Sequence, residues 1–294
     1  MSATTPGPTP GMPDLPVPPN GPAPTLLAIL DLQPSGPDRW EAPTPAEGPP
    51  RLFGGQVASQ ALRAATLTVD GGRRPHSLHS YFIRPGRPGT TLELAVERTR
   101  DGRSFSTRRV VAAQQDGPIF VLDASFHADE PGDDWQADSL ADVPGPDELP
   151  RSEPGVWTFF ATNPFEIVPV NPRTGYAIHP CWVRLREPVD SDDPGLHASA
   201  LTYVSDLAVI MNARAPMSTA AWGGATLDHA VWFHRPARAD EWLLFNVDPV
   251  TNFGARGLAR GSFQRLDGTL VASLAQECLL RPGPQDPPLA NPPG

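Results

Sequence analysis

The sequence contains no lysine, and only two of its 294 residues are cysteines, Cys181 and Cys278. Two cysteines are too few for a disulfide framework, and no His or Cys cluster has the spacing typical of a zinc site. We therefore expect reduced thiols and no bound metal. The basic residues are all arginine and the net charge is −10, so we expect no general nucleic-acid-binding surface.

Long apolar runs are also missing. No stretch of 18 apolar residues occurs, and the first two dozen residues lack a positive start followed by an apolar segment. Those patterns mark membrane spans and secretory signals, so we expect a soluble cytoplasmic protein without membrane binding. Proline is abundant instead, with 39 residues. It is crowded into 1–24 and 282–294, where it prevents packed secondary structure, and we expect both segments to be disordered tails.

An internal repeat is the most informative feature that is present. Nine residues recur without a gap at an offset of 151 positions, which predicts one small fold written twice. The matching residues are Phe82, Arg84, Pro85, Leu92, Val96, Arg109, Asp116, Gly117 and Ala124, which recur as Phe233, Arg235, Pro236, Leu243, Val247, Arg260, Asp267, Gly268 and Ala275.

Each copy is predicted to contain one apolar helix followed by long antiparallel strands. The helices are expected at 54–69 and 198–210, from apolar residues at helical spacing. A short helix is also expected at 26–32, followed by a Pro-rich and Gly-rich loop that runs to Pro50. Alternating apolar residues predict strands near 79–85, 91–97, 104–113 and 118–126, and then near 227–236, 241–247, 255–263 and 270–280. The Asp-Gly pairs 116–117 and 267–268 predict hairpin turns, because both residue types tolerate positive φ.

The domain organisation follows from this pattern. We expect an N-terminal domain over 25–130, an acidic and Pro-rich linker over 131–154, and a C-terminal domain over 155–281. In each domain the sheet would wrap around the helix to bury it, which makes an α+β fold.

Six ordered strings resemble the acyl-CoA thioesterase II family. They are FGGQVASQAL (53–62), HSLHSYFIRPG (76–86), DGRSFSTRRV (101–110), YVSDL (203–207), TLDHAVWFHRP (226–236) and SLAQE (273–277). The resemblance runs from about residue 26 to residue 281 and implies a double hotdog fold. It also implies hydrolysis of acyl-CoA to a free fatty acid and CoA, with no cofactor. Family precedent implies further assembly into a homo-oligomer, a dimer or a tetramer.

Three polar residues of the second copy are the candidate catalytic residues. Asp206 lies in an apolar helical pattern, where desolvation would raise its pKa toward that of a useful base. Thr226 and Gln276 could orient a water molecule without competing for its proton. The family's pattern implies that an Asp, a Thr or Ser, and a Gln hold the water, and these types stand at the matching positions. Taken from the residues alone, all three could equally be structural.

The first copy lacks these groups. At the offset of 151, Asp206 aligns with Gly55, Thr226 with Pro75 and Gln276 with Ser125. We therefore expect an asymmetric duplication, in which one copy carries the chemistry and the other lines the acyl cavity.

Substrate contacts are harder to assign. Backbone amides of Gly54 and Gly55 could serve as oxyanion donors, although close helix packing explains both glycines equally well. Guanidinium groups bind phosphate in a forked geometry. The candidate partners of the CoA phosphates are Arg84, Arg235, Arg256 and Arg260.

Other chemistries remain open at this point. The adjacent Asp228 and His229 could belong to a Ser-His-Asp hydrolase, but no GxSxG elbow is present and neighbours on a strand point to opposite faces. Asp192 and His197 could act in a hotdog enoyl-CoA hydratase, although their context indicates a turn. The protein could also bind acyl-CoA without catalysis. Finally, Asp206 could attack the carbonyl itself and form an anhydride.

Overall fold

The computed structural model describes residues 25–45, 50–137, 142–150, 163–171, 178–214 and 222–282. The predicted tail at 1–24 lies outside these ranges, and so does the predicted tail at 282–294 apart from Pro282, which ends the last strand. The helices are α1 (Leu26–Ile29), α2 (Gly54–Thr66), α3 (Pro194–Ser205) and α4 (Val209–Asn212). Within the described ranges, no helix is long and apolar enough to cross a membrane.

Thirteen described strands join into one antiparallel sheet. Those of the first half are β1 (Gln33–Gly36), β2 (Arg39–Ala42), β3 (Arg73–Phe82), β4 (Leu92–Asp101), β5 (Phe105–Gln114) and β6 (Gly117–Ala128). Those of the second half are β7 (Phe165–Pro169), β8 (Cys181–Leu185), β9 (Trp222–Thr226), β10 (Asp228–Phe233), β11 (Leu243–Phe253), β12 (Arg256–Arg265) and β13 (Leu270–Pro282).

The order across the sheet is β1-β2-β4-β5-β6-β3-β10-β13-β12-β11-β8-β7, and β9 pairs separately with β13. The two halves therefore meet at β3 and β10, where Val231 stands opposite Leu78. Both of these side chains are fully buried. The sheet is continuous through this pairing, so the core is shared between the halves.

The central helices α2 and α3 pack against each other beneath the sheet. Four alanines of α2, Ala58, Ala61, Ala64 and Ala65, are fully buried. Small side chains let the helix approach both its partner helix and the strands. Two helices with a sheet wrapped around them match the predicted architecture.

The repeated Asp-Gly turns are confirmed. Gly117 and Gly268 have φ angles of 101° and 86°. Gly117 begins β6 directly after the turn from β5, and Gly268 lies in the turn between β12 and β13. Positive φ at these two positions favours glycine. The ungapped repeat therefore aligns equivalent hairpins of the two halves.

The predicted loop before Pro50 is wrong in part, because β1 and β2 form a hairpin there. All four residues of β1 are exposed, so no apolar alternation marked the strand. β2 pairs with β4, which holds the hairpin on the edge of the sheet. Strands β7 and β8 were likewise not predicted from the sequence.

The segment predicted as a linker makes specific contacts with the second half. The side chain of Gln136 donates to the Gly268 carbonyl at 2.9 Å and accepts from the Leu270 amide at 2.9 Å. Farther on, the Trp182 indole donates to the Pro144 carbonyl at 2.9 Å. The domain boundaries stay a prediction.

Candidate active site

Asp206 lies at the end of α3 and not inside a longer helix. Pro194 starts the helix with Asp193 as its N-cap, whose carboxylate accepts from the Gly195 amide at 2.9 Å. The helix ends at Ser205, and Ala208 adopts a left-handed φ of 54° before α4. The predicted bounds 198–210 are therefore wrong at both ends. Apolar spacing continued beyond the break because α4 also faces the core, with Val209 fully buried.

The three candidate catalytic residues meet around one carboxylate oxygen. Oδ1 of Asp206 accepts from the Gln276 amide at 2.9 Å and from the Thr226 hydroxyl at 3.2 Å. The same amide donates to the Thr226 hydroxyl at 3.0 Å. Thr226 ends β9 opposite Cys278 of β13, two residues along the strand from Gln276. That register places Thr226 and Gln276 on one face of the sheet.

The start of α2 lies against the same carboxylate. The backbone amide of Gly55 is close enough to Asp206 to lower the pKa of its carboxyl group. A Cβ atom on Gly54 would lie 2.6 Å from Oδ2 of Asp206, and one on Gly55 would lie 2.1 Å from the Tyr203 carbonyl oxygen. Both glycines are thus required for the close approach of the two helix ends, and this approach brings amide groups to the carboxylate.

Burial dominates the electrostatics of this carboxyl group. Asp206 is 8 % exposed, and desolvation raises its pKa to about 6. Hydrogen bonding by Gln276, Thr226 and Gly55 lowers the pKa, but by less than desolvation raises it. Desolvation disfavours the charged form, whereas each donor stabilises it. The resulting group is ionised at neutral pH and still basic enough to accept a proton.

A cavity of about 490 Å³ opens beside the carboxylate. Asp206, Thr226 and Gly54 lie on its wall, whereas the fully buried Gln276 does not. The apolar lining comes from both halves of the chain. It includes Leu52, Phe53, Val57, Phe82, Ile119 and Phe120 from the first half, and Ala208, Ile210, Met211 and Leu227 from the second.

The arginines that were predicted to bind the CoA phosphates lie in different parts of the structure. Arg84 lines the cavity beside Asp206, together with Arg51, which was missed because no motif singled it out. Arg235 lines a second cavity of about 430 Å³ and pairs with Asp134. Arg256 pairs with Glu277 at 3.0 Å on β12, the strand that also carries the exposed Arg260. The geometry therefore groups only Arg84 with the catalytic candidates.

The two halves are asymmetric at the helix ends. The residue that ends α2 in the position of Asp206 is Leu67. The alignment of Asp206 with Gly55 is thus wrong, because the helices are offset by 139 positions and not by 151. Ser125 remains the strand counterpart of Gln276, and its hydroxyl lies 2.8 Å from Nε2 of His76. No carboxylate takes part in that contact.

The residues of the alternative chemistries are engaged elsewhere. Nε2 of His197 lies 2.8 Å from the Ser191 carbonyl oxygen, and its Nδ1 accepts from the Ala239 amide at 3.2 Å. Asp192 pairs with Arg238 at 2.6 Å. Since both ring nitrogens of His197 contact the backbone, neither is available as a catalytic base.

Comparison with known proteins shows the family. A model of the acyl-CoA thioesterase N-terminal domain matches residues 41–127, and a model of the C-terminal domain matches residues 137–280. The human acyl-coenzyme A thioesterase 8 is 35 % identical over 88 % of this chain and 90 % of its own length. The chain therefore belongs to the acyl-CoA thioesterase family and is an acyl-CoA thioester hydrolase.

Solved structures confirm the fold. An acyl-CoA thioesterase II from Mycobacterium marinum is 36 % identical, with a TM-score of 0.74 over 90 % of this chain and 99 % of that one. A protein with a hot dog fold from Alicyclobacillus acidocaldarius has a TM-score of 0.69 over 87 % of this chain and 97 % of that one. The latter is only 17 % identical and shows the fold alone. The predicted double hotdog is confirmed.

Proposed function

We propose that the protein hydrolyses acyl-CoA to a free fatty acid and CoA, with Asp206 as the general base. The carboxylate removes a proton from a water molecule while the water oxygen bonds to the thioester carbonyl carbon. When the tetrahedral intermediate collapses, the carbon–sulfur bond breaks and Asp206 returns the proton to the CoA thiolate. Atoms and charge balance with water as the only co-reactant.

Thr226 and Gln276 have different parts in this proposal. The Thr226 hydroxyl lies on the cavity wall and donates to Asp206, so its remaining lone pair can accept a hydrogen bond from the attacking water. Both protons of the Gln276 amide have acceptors, in Asp206 and in Thr226. Gln276 therefore positions the other two groups and does not touch the water.

The start of α2 is proposed to stabilise the oxyanion. The amides in the first turn of a helix have no partner within the helix, and the helix dipole favours negative charge there. Gly54 lies on the cavity wall beside Asp206, so its amide can donate to the developing oxyanion. Arg84 at the same cavity is proposed to contact a CoA phosphate, and the parts of Gly55, Arg235, Arg256 and Arg260 in substrate binding stay predictions.

The observation that carries this proposal is the pair of hydrogen bonds to Oδ1 of a buried Asp206, next to an apolar cavity. The test is release of free thiol from a series of saturated acyl-CoA substrates. Asp206→Asn should lower kcat by orders of magnitude, whereas Ser125→Ala, at the matching strand position of the first half, should leave it nearly unchanged. Equal effects of the two substitutions would contradict the asymmetry.

A second experiment separates the general base from a nucleophile. After a single turnover in water labelled with oxygen-18, a general base leaves the Asp206 carboxylate unlabelled and the label enters the fatty acid. An anhydride intermediate hydrolysed at the Asp206 carbonyl would transfer the label to Asp206.

We also propose that the protein is cytoplasmic. We propose further that it assembles into a homo-oligomer, and size-exclusion chromatography with light scattering would test this oligomeric state.

A further inference from the structure

Gln276 and His229 lie next to each other in the core, behind the candidate active site. They lie on the adjacent strands β13 and β10, one position beyond the paired residues Ala230 and Ala275. Both side chains are fully buried. Residues opposite each other in an antiparallel pair have Cβ atoms about 5 Å apart. The imidazole ring and the carboxamide are therefore neighbours in the core.

Two polar atoms in this contact have no hydrogen-bond partner of normal geometry among the described residues. They are Oε1 of Gln276 and Nδ1 of His229. The other ends of both groups are engaged, since the Gln276 amide donates to Asp206 and Nε2 of His229 lies 2.7 Å from the Ser205 hydroxyl oxygen. A buried polar atom without a partner costs about 1–3 kcal/mol.

The tautomer of His229 decides whether these two atoms can be paired. A proton on Nε2 would go to Ser205 and leave the Nδ1 lone pair facing Oε1, which is another acceptor. A proton on Nδ1 can instead be donated to Oε1, while Nε2 accepts from the Ser205 hydroxyl. The Ser205 hydroxyl has one proton, so in this tautomer it donates to Nε2 and not to the Thr202 carbonyl oxygen, which lies 2.9 Å away.

The ring is neutral in either case. Burial lowers the pKa of His229 to about 4, against a smaller raising by hydrogen bonding to Gln276. Ser205 and His229 line no part of the Asp206 cavity, so this Ser and His pair does not form a nucleophile facing the substrate.

We infer that His229, held by Ser205 as the Nδ1–H tautomer, fixes the orientation of the Gln276 carboxamide. Oε1 then accepts from the ring, and the amide protons point to Asp206 and Thr226. A carboxamide turned by 180° would place its oxygen against the Asp206 carboxylate and lose both hydrogen bonds. His229 is thus a positioning residue, and this inference rests on the proposed roles of Asp206 and Gln276.

The tautomer can be measured directly in the wild-type protein. Histidine labelled with nitrogen-15 gives two-bond couplings that distinguish a protonated Nδ1 from a protonated Nε2. The chain has seven histidines, and the His229 signals are those missing from the spectrum of His229→Asn. A protonated Nδ1 at pH 7 supports the inference. A protonated Nε2 would overturn it, whatever the enzyme assay shows.

Matched variants test the consequence for turnover. The amide nitrogen of Asn can stand where Nδ1 stands, whereas Leu has nearly the same shape as Asn and no donor. His229→Leu should lower kcat about 10- to 100-fold, since small misplacements of catalytic groups have effects of that size, with little change in KM. His229→Asn should recover most of that loss. Equal losses in the two variants, both folded by circular dichroism, would contradict the inference.

A double-mutant cycle separates this inference from the proposed function. If His229 acts through Gln276, then His229→Leu should reduce kcat little further once Gln276 is replaced by Ala. Additive losses would overturn the positioning role. If Gln276→Ala alone leaves kcat unchanged, the proposed role of Gln276 fails, and the nitrogen-15 spectrum still decides the tautomer.

Discussion

The raised pKa of Asp206 has a consequence for stability that can be separated from catalysis. Its ordinary value is 3.8, and burial raises the pKa to about 6 in the folded protein. Each pKa unit corresponds to 1.36 kcal/mol, so the ionised carboxylate lowers the free energy of unfolding by about 3 kcal/mol at pH 7. Below pH 3.8 the group is protonated in both states and this penalty is absent.

The sign follows from proton linkage. Between pH 3.8 and about 6 the folded protein keeps a proton that the unfolded chain has released, so this group's contribution to stability falls as pH rises. The carboxamide introduced by Asp206→Asn does not titrate. The free energy of unfolding of Asp206→Asn minus that of the wild type should therefore rise by about 3 kcal/mol between pH 3.5 and pH 7.5.

Urea denaturation followed by circular dichroism at a series of pH values measures this difference. All other titrating groups are shared by the two proteins and cancel in the subtraction. Asp133→Asn makes the same change at an exposed position and controls for the substitution itself. A difference that does not change with pH would refute the reasoning. In the wild type, kcat/KM should also fall about tenfold per pH unit below about pH 6.

Three further substitutions test packing and specificity. Gly55→Ala would place a Cβ atom 2.1 Å from the Tyr203 carbonyl oxygen, and it should lower the free energy of unfolding by about 1–3 kcal/mol. A Cβ atom at Gly71 would meet nothing within 4 Å, so Gly71→Ala should not lower the free energy of unfolding. Equal melting temperatures of the two variants would contradict this. Ile210→Ala widens the Asp206 cavity and should shift kcat/KM toward longer acyl chains in the thiol-release assay, so an unchanged ratio of long to short substrates would exclude Ile210 from the acyl site. Arg108→Met removes a fully buried guanidinium with several hydrogen bonds and should cost about 2–4 kcal/mol in urea denaturation.

The strands that could be predicted from the sequence are those in which apolar residues alternate and which also belong to the internal repeat. β4 and β11 both begin at a matched leucine, Leu92 and Leu243, and the Asp-Gly turns fixed the hairpins that follow. The sequence did not predict β1, whose four residues are all exposed. Pairing with β2 keeps β1 in the sheet, and a backbone hydrogen bond leaves no signal in the pattern of side chains.

The candidate site was predicted as a set of residues but not as a geometry. Asp206, Thr226 and Gln276 do meet, yet Asp206 is the residue after a helix and not part of one. The connection from α2 to β3 is shorter than that from α3 to β10, so the helices and the strands repeat at different offsets. An ungapped comparison follows the strands alone. It therefore could not identify Leu67 as the counterpart of Asp206.

Comparing the two helix ends distinguishes the residues that packing requires from those that the proposed chemistry requires. A Cβ atom on Gly55 would collide with the carbonyl of Tyr203 in α3, and one on Gly195 would lie 2.2 Å from Cγ2 of Thr66 in α2. Each helix thus starts with a glycine pressed against the end of the other, which is a packing requirement at both places. Only at the first place does a carboxylate from the opposing helix end, that of Asp206, lie on the apolar cavity; the Asp193 carboxylate beside Gly195 caps its own helix. The glycines alone therefore do not mark the site, and the proposed chemistry depends on the Asp206 side chain that the scaffold holds there.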